Sequence, residues 1–271
     1  MNKVEMKEKG LNQLELHQRL SEQLKQCPGR VSFYLEMNGN IFEHNSDDIY
    51  SSASLIKIPI LIEGYRQHQN GIINLDQIVH LPVDEKVSGA GVLQALSSNP
   101  SYSIRDLLTL MMIVSDNFAT NILIDTLGKG SINQCMDDLG LNGTKLNRKM
   151  MDFESLRQGI DNLTCAQDMA KSLKFINESP FLTENSRKEI KSILGFQQFN
   201  QKLPAFMDLE KVYVGNKTGE LPGVNHDCAI VSYNGRHAYM AMLIDQLPLE
   251  ENSNYFMNKI GKMVYDKLVS M

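Results

Sequence analysis

The chain has 271 residues, of which 42% are hydrophobic, and a formal net charge of −5. A chain of this length can bury a sizeable core, either as one large domain or as two interleaved subdomains. The mildly acidic charge argues against nucleic acid as a partner. No stretch reaches the ~18 apolar residues of a membrane span, so we expect no membrane partner.

The N-terminal residues and the cysteines bear on compartment. The first residues lack the apolar segment of a signal peptide, so we expect a cytoplasmic protein, or an extracytoplasmic one if a leader has been removed. The cysteines at 27, 135, 165 and 228 have no metal-ligand spacing. Their scatter favours free thiols in a reducing compartment. We expect no metal, no cofactor and a monomer.

The first predicted elements are a helix and a hairpin. Leucines with mostly helical spacing predict an amphipathic helix over 11–26, ended by Pro28 and Gly29. Two short strands are predicted at 31–37 and 41–44. They are joined around Asn38 and Gly39, a strong signal for a hairpin turn.

The middle of the chain, from about 54 to 206, is predicted to be mostly helical. The segment 55–66 is strongly apolar and predicts a buried helix. Ser103 and Asp106 resemble a capping box that opens the apolar run 107–114. The further helical stretches predicted here are 164–176 and 183–194.

Strand patterns return after residue 206. An alternating strand is predicted to lead to Lys217. Two more strands, at 229–233 and 237–244, flank a second hairpin signal, Asn234-Gly235. An apolar stripe over 256–268 predicts a C-terminal helix.

These elements predict an α+β protein with two lobes. Strands from both chain ends would form one antiparallel five-stranded sheet, with the terminal helices packed on it. The predicted sheet lobe comprises 1–53 and 207–271, and the predicted all-helical lobe comprises 54–206. The cleft between the lobes is the natural place for a site.

Ser54 and Lys57 form the first of three short motifs. If Ser54 starts a helix, the two side chains lie one turn apart on one face. The apolar flank would desolvate Lys57, and desolvation favours the neutral amine that can act as a base. Chance alone produces about one or two Ser-x-x-Lys patterns in such a chain, so this motif is weak by itself.

The second motif is Ser115-Asp116-Asn117, predicted on a loop after the capped helix. The Ser115 hydroxyl can pass a proton between Lys57 and a leaving nitrogen. The Asn117 amide can bond a substrate amide, whereas Asp116 is expected to brace the turn. Taken alone, the motif is equally compatible with an ordinary polar turn.

The third motif is Lys217-Thr218-Gly219. Lys217 and Thr218 could hold a substrate carboxylate, and Gly219 leaves room for a substrate to lie along the strand edge. The backbone N–H of Glu220 could join that of Ser54 in an oxyanion hole. Alone, the motif also fits a solvated strand end. In this order, the three motifs predict attack on a carbonyl through an acyl-enzyme.

The combination resembles the serine penicillin-recognising family, and most closely the class A β-lactamases. The resemblance covers nearly the whole chain, including its layout of helix, sheet and helical insert. Residues 89–94 resemble part of the family's cleft wall, and 146–148 resemble the entry to its catalytic loop. Asn121 lies in the place that supports that loop and is also expected among the substrate-binding residues. The resemblance implies the class A fold and a serine hydrolase that opens β-lactams or related amides.

The chain departs from the family at the catalytic loop. Met150 replaces the glutamate that activates the deacylating water, and a thioether cannot act as a base. Glu154 falls in the place of the closing asparagine, so rescue would come from Glu154 or Asp152. Glu154 is equally compatible with a surface carboxylate. The arginine that usually follows the third motif is also missing. Asn225 and His226 occupy that neighbourhood, and we expect His226 to be structural.

Three functions remain open on the sequence, each with a small-molecule substrate or ligand. The first is a class A-like β-lactamase in which Glu154 activates the water. The second is a penicillin-binding, D-alanyl-D-alanine peptidase-like or esterase-like hydrolase with slow deacylation, which Met150 favours. The third is a non-enzymatic β-lactam receptor module, which ranks last because such a module would usually need a membrane span.

Overall fold

The computed structural model describes residues 13–80, 86–96, 101–248 and 253–271. Residues 11 and 12 of the first predicted helix fall outside these ranges. The strands of the described part are β1 (Arg30–Met37), β2 (Asn40–His44), β3 (Tyr50–Ser51), β4 (Ile78–His80), β5 (Ser101–Ser103), β6 (Leu163–Thr164), β7 (Tyr213–Leu221), β8 (Val224–Tyr233) and β9 (Arg236–Asp245). The α-helices of the same part are α1 (Gln13–Leu24), α2 (Lys57–Gln69), α3 (Ile104–Ile113), α4 (Asn117–Leu127), α5 (Lys129–Asp138), α6 (Phe153–Arg157), α7 (Ala166–Glu178), α8 (Glu184–Gly195) and α9 (Asn254–Ser270).

The main sheet has the strand order β2-β1-β9-β8-β7 and is antiparallel throughout. It therefore combines strands from both ends of the chain, and the predicted α+β fold class is confirmed. Both predicted hairpin turns form. Asn38 and Gly39, and likewise Asn234 and Gly235, have positive φ angles, as a two-residue turn between twisted strands requires.

The sheet separates two hydrophobic cores. The core under the terminal helices includes Leu16, Leu20, Phe33, Ile260 and Val264. The core between the sheet and the other helices includes Tyr34, Ile60, Leu108, Leu173 and Leu243. Because both faces of the sheet are covered, β8 and β9 are buried along most of their length. The exact division into two lobes stays a prediction.

Helix α2 runs through the middle of the helical part. Its residues from Lys57 to Tyr65 are all buried and mostly apolar, as expected for a helix surrounded by other helices. Helix α3 begins with the predicted capping box of Ser103 and Asp106. Such caps fix where a helix starts, and α3 thereby leads its chain to the second motif.

Two local features near the first motif were not predicted. A 3₁₀ turn, Ala53–Ile56, precedes α2, so Ser54 lies in this turn instead of starting the α-helix. Strands β3 and β6 pair beside it, and Ser52 N–H donates to Asn162 O over 2.7 Å. This pairing fastens the segment before Ser54 to the end of the loop over 146–162, which contains Met150 and is the predicted catalytic loop. None of the helices in the described ranges is long and apolar enough to cross a membrane.

Candidate active site

Ser54 lies where the 3₁₀ turn passes into α2. The Lys57 N–H donates to the Ser54 carbonyl, so the two residues share one turn. Ser54 lines two neighbouring cavities, of about 280 Å³ and about 220 Å³. We call the larger cavity, which Ser115 lines, the Ser115 side of the cleft. We call the smaller cavity, which Met150 and Met151 line, the loop side.

Lys57 is completely buried, and its ammonium group contacts the second motif. Lys57 Nζ lies 2.7 Å from Ser115 O, 3.1 Å from Ser115 Oγ and 2.9 Å from Asn117 Oδ1. Burial lowers the pKa of Lys57 well below its ordinary value, Lys217 lowers it further, and Asp116 opposes the change. A neutral Lys57 keeps two N–H groups, which can donate to Ser115 O and Asn117 Oδ1, the two oxygens that can only accept. Its nitrogen lone pair then remains available to accept a proton.

Ser115 bridges two lysines from the first and third motifs. Lys217 Nζ donates to Ser115 Oγ over 3.0 Å and to Thr218 O over 2.8 Å. Lys217 is fully buried, and burial lowers its pKa to about 7. The Ser115 hydroxyl thus lies between Lys57 and Lys217, where it can relay a proton.

Asp116 holds the wall of the cleft, as predicted from its turn position. Its carboxylate accepts from the N–H groups of Val92 and Leu93 and caps α4 through Ala119 N–H. Gly91 must be glycine here, since a Cβ would lie 2.3 Å from the Asp116 carboxyl group. The segment around Ala90 is therefore fixed beside the second motif.

Strand β7 brings the third motif to Ser54 at an edge of the main sheet. A Cβ on Gly219 would lie 3.2 Å from Ala53 Cβ and 3.3 Å from Ser54 N, so glycine lets the strand pass close to the turn. Thr218 and Glu220 line the Ser115 side, and Glu220 also lines the loop side. The strand next to Glu220 therefore passes close to the Ser54 backbone, and the oxyanion hole formed by the Glu220 and Ser54 N–H groups stays a prediction.

The catalytic loop is held by polar contacts at its entry and centre. Arg148 pairs with Asp161, with 2.8 Å between Nη2 and Oδ1. Asn121 accepts from Met150 N–H over 2.7 Å and donates to Met150 O over 3.1 Å. Asn121 therefore supports the loop, as its predicted position implies, and does not line either cavity next to Ser54.

The loop side of the cleft is largely apolar. Its apolar side chains come from Met150, Met151, Phe153, Leu156 and Leu221. Met150 is only 7% exposed and lines this cavity together with Ser54 and Asn117. A methionine thus occupies the position in the wall where the family resemblance implies a water-activating glutamate.

The structure does not support Glu154 or Asp152 as a replacement base. The Glu154 side chain is 64% exposed, pairs with Arg157 and accepts from Gln158. Asp152 caps α6 by accepting from the N–H and hydroxyl of Ser155. Neither carboxylate lines a cavity that contains Ser54, because both are held by residues of α6: Glu154 by Arg157 and Asp152 by Ser155.

His226 has a structural role, as predicted. It is fully buried, Ile244 N–H donates to its Nδ1 over 3.1 Å, and its Nε2 lies 2.9 Å from Ser51 O. These contacts fix a neutral ring, and burial lowers its pKa to about 4. The ring fastens the segment before Ser54 to the main sheet.

Three residues bordering the cleft adopt left-handed backbone conformations without being glycine. They are Ala53 (φ 44°), Ser115 (φ 56°) and Met151 (φ 62°). Such conformations cost on the order of 1–3 kcal/mol each and tend to cluster at functional sites. The sequence carries no signal for them, because residues of these types usually avoid this region.

Sequence reasoning also missed Phe199, Gln201 and Lys202. Phe199 and Gln201 line the Ser115 side. Lys202 lies behind them, only 2% exposed, and its Nζ pairs with Glu220 Oε1 at 2.8 Å. The segment has no motif, and its contact with β7 appears only in the folded chain.

The fold is that of the β-lactamase-like serine hydrolases. A model described as the β-lactamase enzyme family matches residues 15–268, and the chain belongs to that family. The predicted family resemblance is thereby confirmed. No curated protein matches the sequence.

Solved structures are similar over nearly the whole chain. A β-lactamase from Sphaerobacter thermophilus DSM 20745 is 25% identical, with a TM-score of 0.88 and coverage of 96% of this chain and 99% of that one. A mutant of PBP-A, in an acyl-enzyme complex with penicillin G, is 26% identical, with a TM-score of 0.86 and coverage of 96% and 98%. A class A β-lactamase from Bacteroides cellulosilyticus DSM 14838 is 20% identical, with a TM-score of 0.84 and coverage of 94% and 98%, which supports the fold.

Proposed function

We propose that the protein is a penicillin-binding serine hydrolase that forms an acyl-enzyme on Ser54 and releases the acyl group slowly. The observation that carries this proposal is the buried, hydrogen-bonded set of Lys57, Ser115 and Lys217 beside Ser54. The structure of a PBP-A mutant as an acyl-enzyme with penicillin G supports the same chemistry for this family.

In the acylation step, Ser54 Oγ attacks the carbonyl carbon while its proton passes to Lys57 Nζ. The C–O bond to Ser54 forms and the carbon–nitrogen bond breaks. The Ser115 hydroxyl donates its proton to the leaving nitrogen and regains one from Lys57, so the net transfer is from Ser54 to that nitrogen. The backbone N–H groups of Ser54 and Glu220 would stabilise the oxyanion. Thr218 and Lys217 face the leaving group.

Slow release follows from the chemistry of the loop side. Hydrolysis of the acyl-enzyme needs a base next to the attacking water, and general bases typically contribute 10²–10⁴-fold. Met150 cannot accept that proton, and Glu154 is engaged with Arg157 at the surface. This favours a penicillin-binding, peptidase-like or esterase-like hydrolase over an efficient β-lactamase.

A fluorescent penicillin tests this proposal. We expect one label per wild-type chain, visible on a denaturing gel, and no label on Ser54→Ala. Ser155→Ala, a change in the loop outside both cavities, is the matched control and should label like wild type. Absence of label on the folded wild-type protein, together with no β-lactam turnover, would overturn the proposal.

A further inference from the structure

The Ser115 side of the cleft is the half that would receive a leaving group. Ser115, which the proposed mechanism uses as the proton donor to the leaving atom, lines this cavity and does not line the loop side. The groups that surround this cavity therefore influence which leaving groups the site accepts. Its lining residues are Ser54, Ala90, Ser115, Phe199, Gln201, Thr218 and Glu220.

Within that lining, Glu220 supplies the carboxylate. Its side chain is 70% exposed, so the charge lies at the mouth of the cleft and in contact with solvent. Glu220 Oε1 lies 2.8 Å from Lys202 Nζ, which keeps the carboxylate in place. A substrate carboxylate bound near Thr218 would therefore approach the exposed, negative end of a fixed ion pair, whose buried ammonium lies behind it.

Lys202 has no N–H group left to donate to a substrate. Its Nζ donates to Gly219 O over 3.4 Å and to His226 O over 3.1 Å, in addition to the pair with Glu220. These three acceptors match the three N–H groups of an ammonium ion. Lys202 is almost completely buried and outside the cavity lining. It acts on the cleft by positioning Glu220.

The side chains in the neighbourhood of the missing arginine supply no positive charge to this cavity either. His226 is neutral and buried between Ser51 O and Ile244 N–H. The Asn225 amide donates to Ser253 Oγ over 2.7 Å. Lys217 Nζ donates to Ser115 Oγ over 3.0 Å but does not itself line the cavity.

We infer that Glu220, held in place by Lys202, determines substrate specificity by disfavouring a carboxylate on the leaving group. This inference rests on the proposed function, since it concerns the substrate of the same serine. Glu220 thus opposes the attraction of Lys217 for such a carboxylate, so esters and amides with an uncharged leaving group are accepted more readily than they would be without Glu220. A unit charge about 4 Å away in a water-like dielectric changes a rate roughly fivefold, which sets the expected size of the effect.

Benzylpenicillin and its methyl ester test this inference as a matched pair, because they differ only in a carboxylate on the leaving-group side. The quantity measured is the ratio of their acylation rate constants, carboxylate over ester, from intact-mass time courses. We expect Glu220→Gln to raise this ratio roughly fivefold. Glu210→Gln makes the same change of charge on an exposed residue outside the cleft and should leave the ratio as in wild type.

Ionic strength gives a second, mutation-free measurement. Because Glu220 is exposed and Lys217 is buried, salt should screen the repulsion more than the attraction and raise the wild-type ratio. An unchanged ratio in Glu220→Gln, with Ser54 labelled in both proteins, overturns this inference and leaves the proposed function intact. If neither compound labels Ser54 in either protein, the proposed function fails and this inference fails with it.

Discussion

The two sides of the cleft around Ser54 differ in their chemistry. On the Ser115 side, Lys57, Ser115 and Lys217 are buried and hydrogen-bonded to one another. On the loop side, Met150 and its apolar neighbours form the wall. In the proposed mechanism, forming an acyl-enzyme and releasing it therefore depend on separate groups. This chain has the first set in place. On the second side Met150 occupies the wall, and the lining carboxylate, Glu220, is paired with Lys202.

The largest expected effect comes from removing the base on the Ser115 side. Lys57→Met should slow acylation by penicillin about 10²–10⁴-fold, because the Ser54 proton loses its acceptor. Stopped-flow or intact-mass kinetics would measure this. Lys188→Met, which changes an exposed lysine of α8, should acylate at the wild-type rate. Similar rates in the Lys57 variant and wild type would remove Lys57 from the mechanism.

A base added to the loop side tests whether the absence of a base at position 150 limits release of the acyl group. Met150→Glu should accelerate release of the penicilloyl group at least tenfold, because it places a carboxylate in the cavity beside Ser54. Asn121 holds the Met150 backbone, so the new side chain should start from the same position. Decay of the adduct after removal of free penicillin measures the effect. The carboxamide variant Met150→Gln is the control. Equal decay of the adduct in both variants would contradict the claim that release is slow because position 150 lacks a base.

The pH dependence of acylation tests Lys217. Its pKa is about 7, so it is a cation below that pH and neutral above it. Acylation by benzylpenicillin should therefore fall as pH rises through about 7, by up to about tenfold per unit, because the cation facing the substrate carboxylate is lost. In Lys217→Arg the fall should disappear, since arginine keeps its charge. Identical profiles for wild type and Lys217→Arg would argue against this role, because both proteins share the Lys57 base.

The smallest effect is expected for Glu154. Glu154→Gln should change the decay of the acyl-enzyme by less than about twofold, because its carboxylate is exposed and paired with Arg157. The same adduct-decay experiment measures it, with wild type as reference. A large slowing would mean that α6 rearranges and brings Glu154 to the acyl group.

Local patterns in the sequence predicted much of the fold. Asn38-Gly39 and Asn234-Gly235 form their turns because these residue pairs tolerate the backbone that tight hairpins need. The capping box at Ser103 formed because its two partners are only three residues apart. Interactions of this short range can be deduced from spacing alone.

Some residues of the candidate site were predictable from the sequence and others were not. Spacing and order identified Ser54, Lys57, Ser115 and Lys217, which the fold brings to one place. The direction of Glu154 depends on how Asp152 caps a five-residue helix, and the contact of Lys202 with Glu220 joins segments that no motif connects. These features arise from tertiary packing, so the sequence pattern did not reveal them.

The most direct test of the central claim is a pulse-chase experiment followed by intact mass. Wild-type protein is incubated with benzylpenicillin, freed of excess ligand and sampled over time, with Ser54→Ala in parallel. The account predicts rapid, stoichiometric appearance of a penicilloyl adduct on Ser54 and a decay many times slower than its formation. Fast multiple turnover without accumulation of an adduct would contradict it, because release would then be at least as efficient as acylation.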